Sequence, residues 1–239
     1  MQKTLTMMQR ELGAYFLSPI AYVVTAVFVF TSGLVFGLGV FQPGGEASLR
    51  ELFDVWMLLI LVFVLPMLTM RLFSEELRSG TIETLMTAPI TETQVVLGKF
   101  LGAFAFFLVL LGTLILYPIL LASYGPVDFR LLLCNLLGLL LLGGLYLSVG
   151  LFFSVCTRHQ IIAVLVSFVL LALLTFAAQG LAPYVAWAWP RVLLQQLSIR
   201  AHFHEFVRGM LDLNHVVFFL STTAAFLFFT VKMLEKRRW

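Results

Sequence analysis

Between two of the most apolar stretches of this chain lies RLFSEELRSGTIETLMTAPITETQVVLGK, residues 71–99, which carries four glutamates, three basic residues and five threonines. A connector between neighbouring helices ordinarily takes about 2–8 residues; this one takes 29. Its pattern is ordered. Residues 71–79 are expected to continue the preceding helix into water, with Glu75, Glu76 and Arg78 exposed. Gly80 can end that helix by entering the left-handed conformation. Ser79 or Thr81 can then cap a short new helix whose first turn holds Glu83, favourable at the positive end of the helix dipole. Ile82, Leu85 and Met86 fall at i, i+3 and i+4 and make an apolar knuckle, which Pro89 terminates. Thr91 and Gln94 have the spacing of a capping box for the next long helix. An apolar knuckle in water calls for a partner to cover it. The segment is therefore read as a plug for a socket, the alternative being a loop folded back on the chain's own helix ends.

Composition places this polar interruption in a membrane protein. Of 239 residues, 61% are hydrophobic and 11% charged, with a mean hydropathy of +1.03. Soluble domains carry roughly 25% charged residues. The net charge of +3 comes from basic residues scattered between apolar runs, so no nucleic-acid partner is expected. Cys134 and Cys156 are 22 positions apart in one apolar run, about 33 Å along a helix at roughly 1.5 Å per residue. They cannot join each other, and no Cys/His metal spacing occurs. No cleavable signal peptide is read at the N-terminus.

A helix crossing the bilayer core needs about 20 apolar residues. Six spans are predicted, at 20–41, 52–70, 100–123, 131–156, 160–180 and 215–232, within a single membrane domain covering 1–239. Pro66 is expected to kink the second. Residues 1–18 mix Lys3, Gln9, Arg10 and Glu11 with Leu5, Met8, Leu12, Tyr15 and Phe16, which suits an interfacial helix, and Pro19 marks the turn into the first span. Residues 181–214 group Tyr184, Trp187 and Trp189 as an aromatic belt would. Phe203, Phe206, Val207 and Met210 then recur near helical spacing, as in short outer-leaflet helices. Ten basic residues fall on the side holding both termini and residues 71–99, five on the other. The excess places both termini and that segment in the cytoplasm.

Other polar residues are read conservatively. His202 and His204 alternate and so do not share a helix face; with Glu205 they are expected to be interfacial residues and not metal ligands. Arg208 and Asp212 are expected to pair, and His215 to mark the water boundary. Ser148, Ser167, Thr175 and Gln179 could line a path or bond to backbone, and backbone bonding is expected. Gly138, Gly143, Gly144 and Gly150 suggest close helix approach, for which a subunit interface is one place. The span cores lack Asp, Glu, Lys and Arg, which argues against a proton-coupled carrier or an ion channel and agrees with a lipid-like cargo.

The run EELRSGTIETLMTAPI, residues 75–90, resembles the coupling segment of ABC-2 type permeases, the membrane subunits of a class of ATP-binding cassette transporters. The likeness extends over nearly the full length: an interfacial N-terminal helix, six spans, a coupling loop after the second and re-entrant helices before the sixth. The C-terminal run SIRAHFHEFVRGMLDLNHVVFFLS, residues 198–221, is most similar to the gliding-motility-associated branch. The resemblance implies an all-α, type V exporter-like fold. It also implies a cytosolic ABC ATPase partner and a second permease copy, identical or not. Glu75, Gly80, Thr81, Glu83, Leu85 and Pro89 match the motif. With Glu76, Arg78, Ile82 and Met86 they would form the ATPase-coupling interface, the carboxylates meeting basic residues and Leu85 an apolar cleft. The chain lacks G-x-x-x-x-G-K-[ST], since Gly98-Lys99 is followed by Phe100. It is thus expected to bind no cofactor itself, ATP and magnesium serving the partner, and to have no catalytic or metal residues. The expected role is that of a permease subunit in a bacterial inner membrane, moving a substrate, by resemblance outward. The alternatives are a membrane anchor that recruits an ATPase to a larger complex without translocation, and an independent channel or carrier.

Overall fold

The computed structural model describes residues 2–40, 52–82, 90–123, 128–181 and 196–237. Every regular element among them is helical: α1 (Gln2–Phe16), α2 (Pro19–Val40), α3 (Met57–Thr69), α4 (Arg71–Ser79), α5 (Glu92–Thr113), α6 (Leu116–Ala122), α7 (Phe129–Cys156), α8 (Gln160–Ala172), α9 (Ile199–Val207) and α10 (Leu213–Arg237). A π-helical turn, Leu52–Trp56, leads into α3, and another, Leu173–Ala177, prolongs α8. Six of these stretches are long and apolar enough to cross a membrane: Pro19–Leu38, Phe53–Ser79, Glu92–Ala122, Phe129–Cys156, Gln160–Ala177 and Leu213–Lys236. The fold is an all-α membrane bundle. Residues 83–89 and 182–195 lie outside the described residues, and with them Tyr184, Trp187 and Trp189.

The bundle is organised around α7, the most enclosed span, and three of its glycines explain how neighbours come so close. A Cβ on Gly138 would lie 2.8 Å from Phe206 Cβ, one on Gly143 2.0 Å from Phe107 Cε1, and one on Gly150 2.0 Å from Thr69 Oγ1. These positions are used up by α9, α5 and α3 of the same chain, which removes the need for a subunit interface there. Gly144 is different: its nearest neighbour would be 3.8 Å away. The hydroxyls of Ser148, Ser167 and Thr175 each find a partner. Ser148 donates to the Leu145 carbonyl at 2.7 Å and Ser167 to that of Ala163, while Thr175 meets the Tyr146 hydroxyl at 2.7 Å. Thr175 is thus bonded to a side chain where a backbone partner was expected; the side chain of Gln179 lies outside the described set.

α3 runs through Pro66 to Thr69, and α4 takes up at Arg71 after a single turn residue, Met70. As the spacing of Thr91 and Gln94 implies, α5 starts at Glu92 with both bonds of a capping box formed, two turns ahead of the apolar stretch expected to cross the bilayer. At the opposite end of the bundle, Gly209 at φ +77° ends α9, a conformation open chiefly to glycine. That break puts Arg208 and Asp212 off helical spacing. Arg208 pairs with Glu205 at 3.6 Å, and Asp212 accepts the Asn214 N–H at 3.1 Å at the start of α10. Cys134 and Cys156 are not joined in a disulfide.

Candidate functional site

The polar segment leaves the bundle on α4 and returns on α5, and α1 lies against both stems. Helix α1 buries Met7, Glu11 and Tyr15 on one face, spaced i, i+4 and i+8 as a helix stripe requires. On α5 that face meets Gly98 and Gly102, where a Cβ would lie 2.6 Å from Met7 Cβ and 2.7 Å from Glu11 Cβ. Between these glycines sits Lys99, 1% exposed, its Nζ 2.9 Å from Glu11 Oε1 and 2.8 Å from Glu76 Oε1. Three helices, α1, α4 and α5, thus each contribute one charge to a single buried contact. Arg10 adds an outer contact to Glu76 at 3.7 Å. Glu76 Oε2 is buried without a hydrogen-bond partner among the described residues.

A second set of bonds ties α1 to the junction of α3 and α4. The Tyr15 hydroxyl donates to the Leu68 carbonyl at 2.8 Å, and the Tyr15 ring stacks on Phe106 at 5.0 Å. Burial raises the Tyr15 phenol far above its usual range against the opposing pull of Arg71, so it stays a donor. Arg71 lies over that ring at 4.6 Å and donates to Ser18 Oγ and, at 3.2 Å, to the Ala14 carbonyl. An open cleft of about 370 Å³ lies among Arg10, Glu11, Arg71, Glu75, Glu76 and Lys99.

The expected interface residues divide by position. Glu75, Arg78 and Thr81 are exposed, and Gly80 adopts φ +75° as the end of α4 requires. Ser79 Oγ meets Thr81 Oγ1 at 2.8 Å where the chain turns helical again. Glu76 is not in water as expected: it faces Lys99. Ile82 is half-buried and packs against the chain's own core. Glu83, Leu85, Met86 and Pro89 lie outside the described residues. Lys99 reads from the sequence as a loop cation; the structure places it inside α5. The signal that could have revealed it is Gly98 and Gly102 flanking a lone lysine, with Glu11 at a buried-stripe position of α1.

The histidines take separate partners. His204 approaches Asp54 at 3.4 Å, whereas His202 stacks on Phe218 at 3.9 Å and turns to His215. The Gln196 carbonyl, 3.0 Å from His202 Nε2, can only accept, so Nε2 carries the proton and His202 Nδ1 accepts from His215 Nδ1–H at 2.7 Å. Burial lowers the His202 pKa, helped by His215 and opposed by the Gln196 carbonyl. Among the described residues no group of three or more His, Cys, Asp and Glu side chains is placed to hold a metal ion.

Residues 39–234 match the family described as ABC-2 family transporter protein. The match is to the family as a whole and singles out no branch within it. Comparison with curated proteins returns no match. A match over most of the length, on a bundle of six membrane-length helices with two stems clamped by an N-terminal helix, establishes that this chain belongs to the ABC-2 transporter family.

Proposed function

We propose that this chain is the permease subunit of an ABC exporter of the bacterial inner membrane, and that residues 71–99 hold its coupling segment. The observation that carries this reading is the Glu11–Lys99–Glu76 contact, which joins both stems of that segment to α1. A force applied to the segment by a cytosolic ATPase would move α1, α4 and α5 as one body. Family membership implies an ABC ATPase as partner. ATP and magnesium act there, and this chain supplies the membrane path. Two permease copies, identical or not, would face one another, each with its segment docked on the ATPase.

Among the described residues of the segment, Glu75 and Arg78 are exposed on α4 and free to meet the partner. Glu76 serves inside the clamp instead. Leu85 and Met86 supply the apolar contact in this reading. A docked segment transmits work only if its contacts differ between ATP-bound and empty partner. The test is purification of the tagged permease in mild detergent with its ATPase. Wild-type chain should retain the ATPase, and Leu85→Asp should lose it while still inserting in the membrane. Retention of the ATPase by Leu85→Asp would remove the segment from the interface.

A further inference from the structure

The break in the helical ladder at Met70 falls where the second membrane span becomes the stem of the coupling segment, and it is held by a side chain from another span. Met70 keeps helical torsions, φ −52° and ψ −37°, so the chain's direction persists while its ladder does not. In an uninterrupted helix the Phe73 N–H would serve the Thr69 carbonyl, four residues back. Here it donates to Ser154 Oγ of α7 at 3.0 Å, as does the Ser74 N–H at 3.2 Å, and the Ser154 hydroxyl donates to the Met70 carbonyl at 2.9 Å. A hydroxyl has one proton and two lone pairs, and all three are engaged. Ser154 is fully buried, as are Phe73 and Ser74.

One turn earlier on the same face of α7, Gly150 makes room for Thr69, whose hydroxyl donates to the Leu65 and Pro66 carbonyls at 3.2 Å each. Upstream, Pro66 has no N–H to give to the Val62 carbonyl. The joint therefore sits in a stretch short of its own ladder bonds and supplied with others by α7. Phe73 also lies under the Lys99 ammonium, 5.2 Å from ring centroid to Nζ. A continuous path of contacts runs from the charge triad through Phe73 to Ser154.

We propose that Ser154 is a positioning residue that passes movement of the coupling stem to α7, the central span. The proposal rests on the coupling reading above and adds where the stroke enters the bundle. The Phe73 N–H has two alternative acceptors, Ser154 Oγ in this structure and the Thr69 carbonyl in an unbroken helix. In the first state stem and α7 move together; in the second, α3 and α4 close into one helix and α7 is released. A physical two-state element of this kind is what a claim of coupling requires.

Amide hydrogen exchange tests the joint in two arms. In the permease alone, Ser154→Ala should speed exchange of the Phe73 and Ser74 amides about tenfold, the effect of losing one buried hydrogen bond, and Ser154→Thr should restore it. Unchanged exchange overturns the joint. In the complex with its ATPase, ATP binding should alter exchange along residues 145–156 in wild type and Ser154→Thr but not in Ser154→Ala, with ATPase co-purification unchanged. A full nucleotide response in Ser154→Ala overturns the relay. Should Ser154→Ala fail to fold, Ser154→Cys keeps the volume with a weak acceptor and is read by the same criteria. Failure of the wild-type chain to bind any ATPase overturns the coupling reading and the relay with it, while the first arm still decides the joint.

Discussion

A lysine ammonium enclosed among helices is stable only if its charge is met and its donors are used. Lys99 meets both conditions through Glu11 and Glu76, with Phe73 closing one side. Removing the cation leaves two carboxylates facing each other across a buried gap. Lys99→Met should therefore destabilise the protein by roughly 3–5 kcal/mol, the usual cost of breaking a buried ion pair, read as a lowered midpoint in denaturant unfolding. Replacing Lys99, Glu11 and Glu76 together by Met, Leu and Leu should recover much of that loss, because an apolar cluster of similar volume has no stranded charge. A triple variant no more stable than Lys99→Met would show that the charges are not the source of the effect. The contact was not legible in the sequence because Glu11 and Lys99 are 88 positions apart, and no periodicity links two residues across that distance. His202 carries a pH dependence of opposite origin. Its folded-state pKa lies below the usual value of 6.5, so the unfolded chain binds more protons as pH falls through that value. Stability from this residue is complete above about pH 6.5 and declines below it, toward the lowered pKa. The protection of the α9 amides, taken relative to intrinsic exchange at each pH, should fall between pH 7.5 and 5, and His202→Gln should flatten that fall; an identical fall in the variant would remove His202 as its cause.

At the level of elements, what the sequence revealed and what it hid follow from the range of the signals involved. The end of α4 at Gly80, the Thr91–Gln94 capping box and the six apolar runs are local, and each appears where its residues imply. The docking of α1 is not local. Its amphipathic pattern identifies a buried stripe but not the surface that buries it, and an interfacial position against lipid satisfies the pattern equally well. The structure sets that stripe on α5, through Gly98 and Gly102. Gly98→Leu should therefore push α1 off α5 and expose the Met7 face, seen as new labelling of a cysteine introduced at Met7. Gly112→Ala, on the same helix with nothing within 4 Å of the added Cβ, is the control. It should leave α1 in place and stabilise the helix by about 0.5–1 kcal/mol. Equal labelling in the two variants would mean that α1 is not held by close approach at Gly98. Gly138, Gly143 and Gly150 carry the same lesson in reverse. Glycines in an apolar run announce a close approach without saying to what, and here the partners are Phe206, Phe107 and Thr69 of the same chain.

For the molecule as a whole, the coupling reading requires that α4 project into the compartment where ATP is available. Six spans put α4 and the start of α7 on opposite faces, since α5 and α6 lie between them as one crossing. The excess of ten basic residues over five makes a cytoplasmic α4 face the expected arrangement. The buried Lys99 weakens that count by one without reversing it, because its charge is neutralised inside the bundle and does not contact the leaflet surface. The assignment can be checked with two exposed positions, Glu75 on α4 and Phe129 at the start of α7, in a chain whose Cys134 and Cys156 are replaced by alanine. An impermeant thiol reagent added to intact spheroplasts should label Phe129→Cys and spare Glu75→Cys; on inverted vesicles the pattern should reverse. If Glu75→Cys labels from outside, α4 faces away from cellular ATP, and no cytosolic motor can reach the segment however well its two stems are clamped.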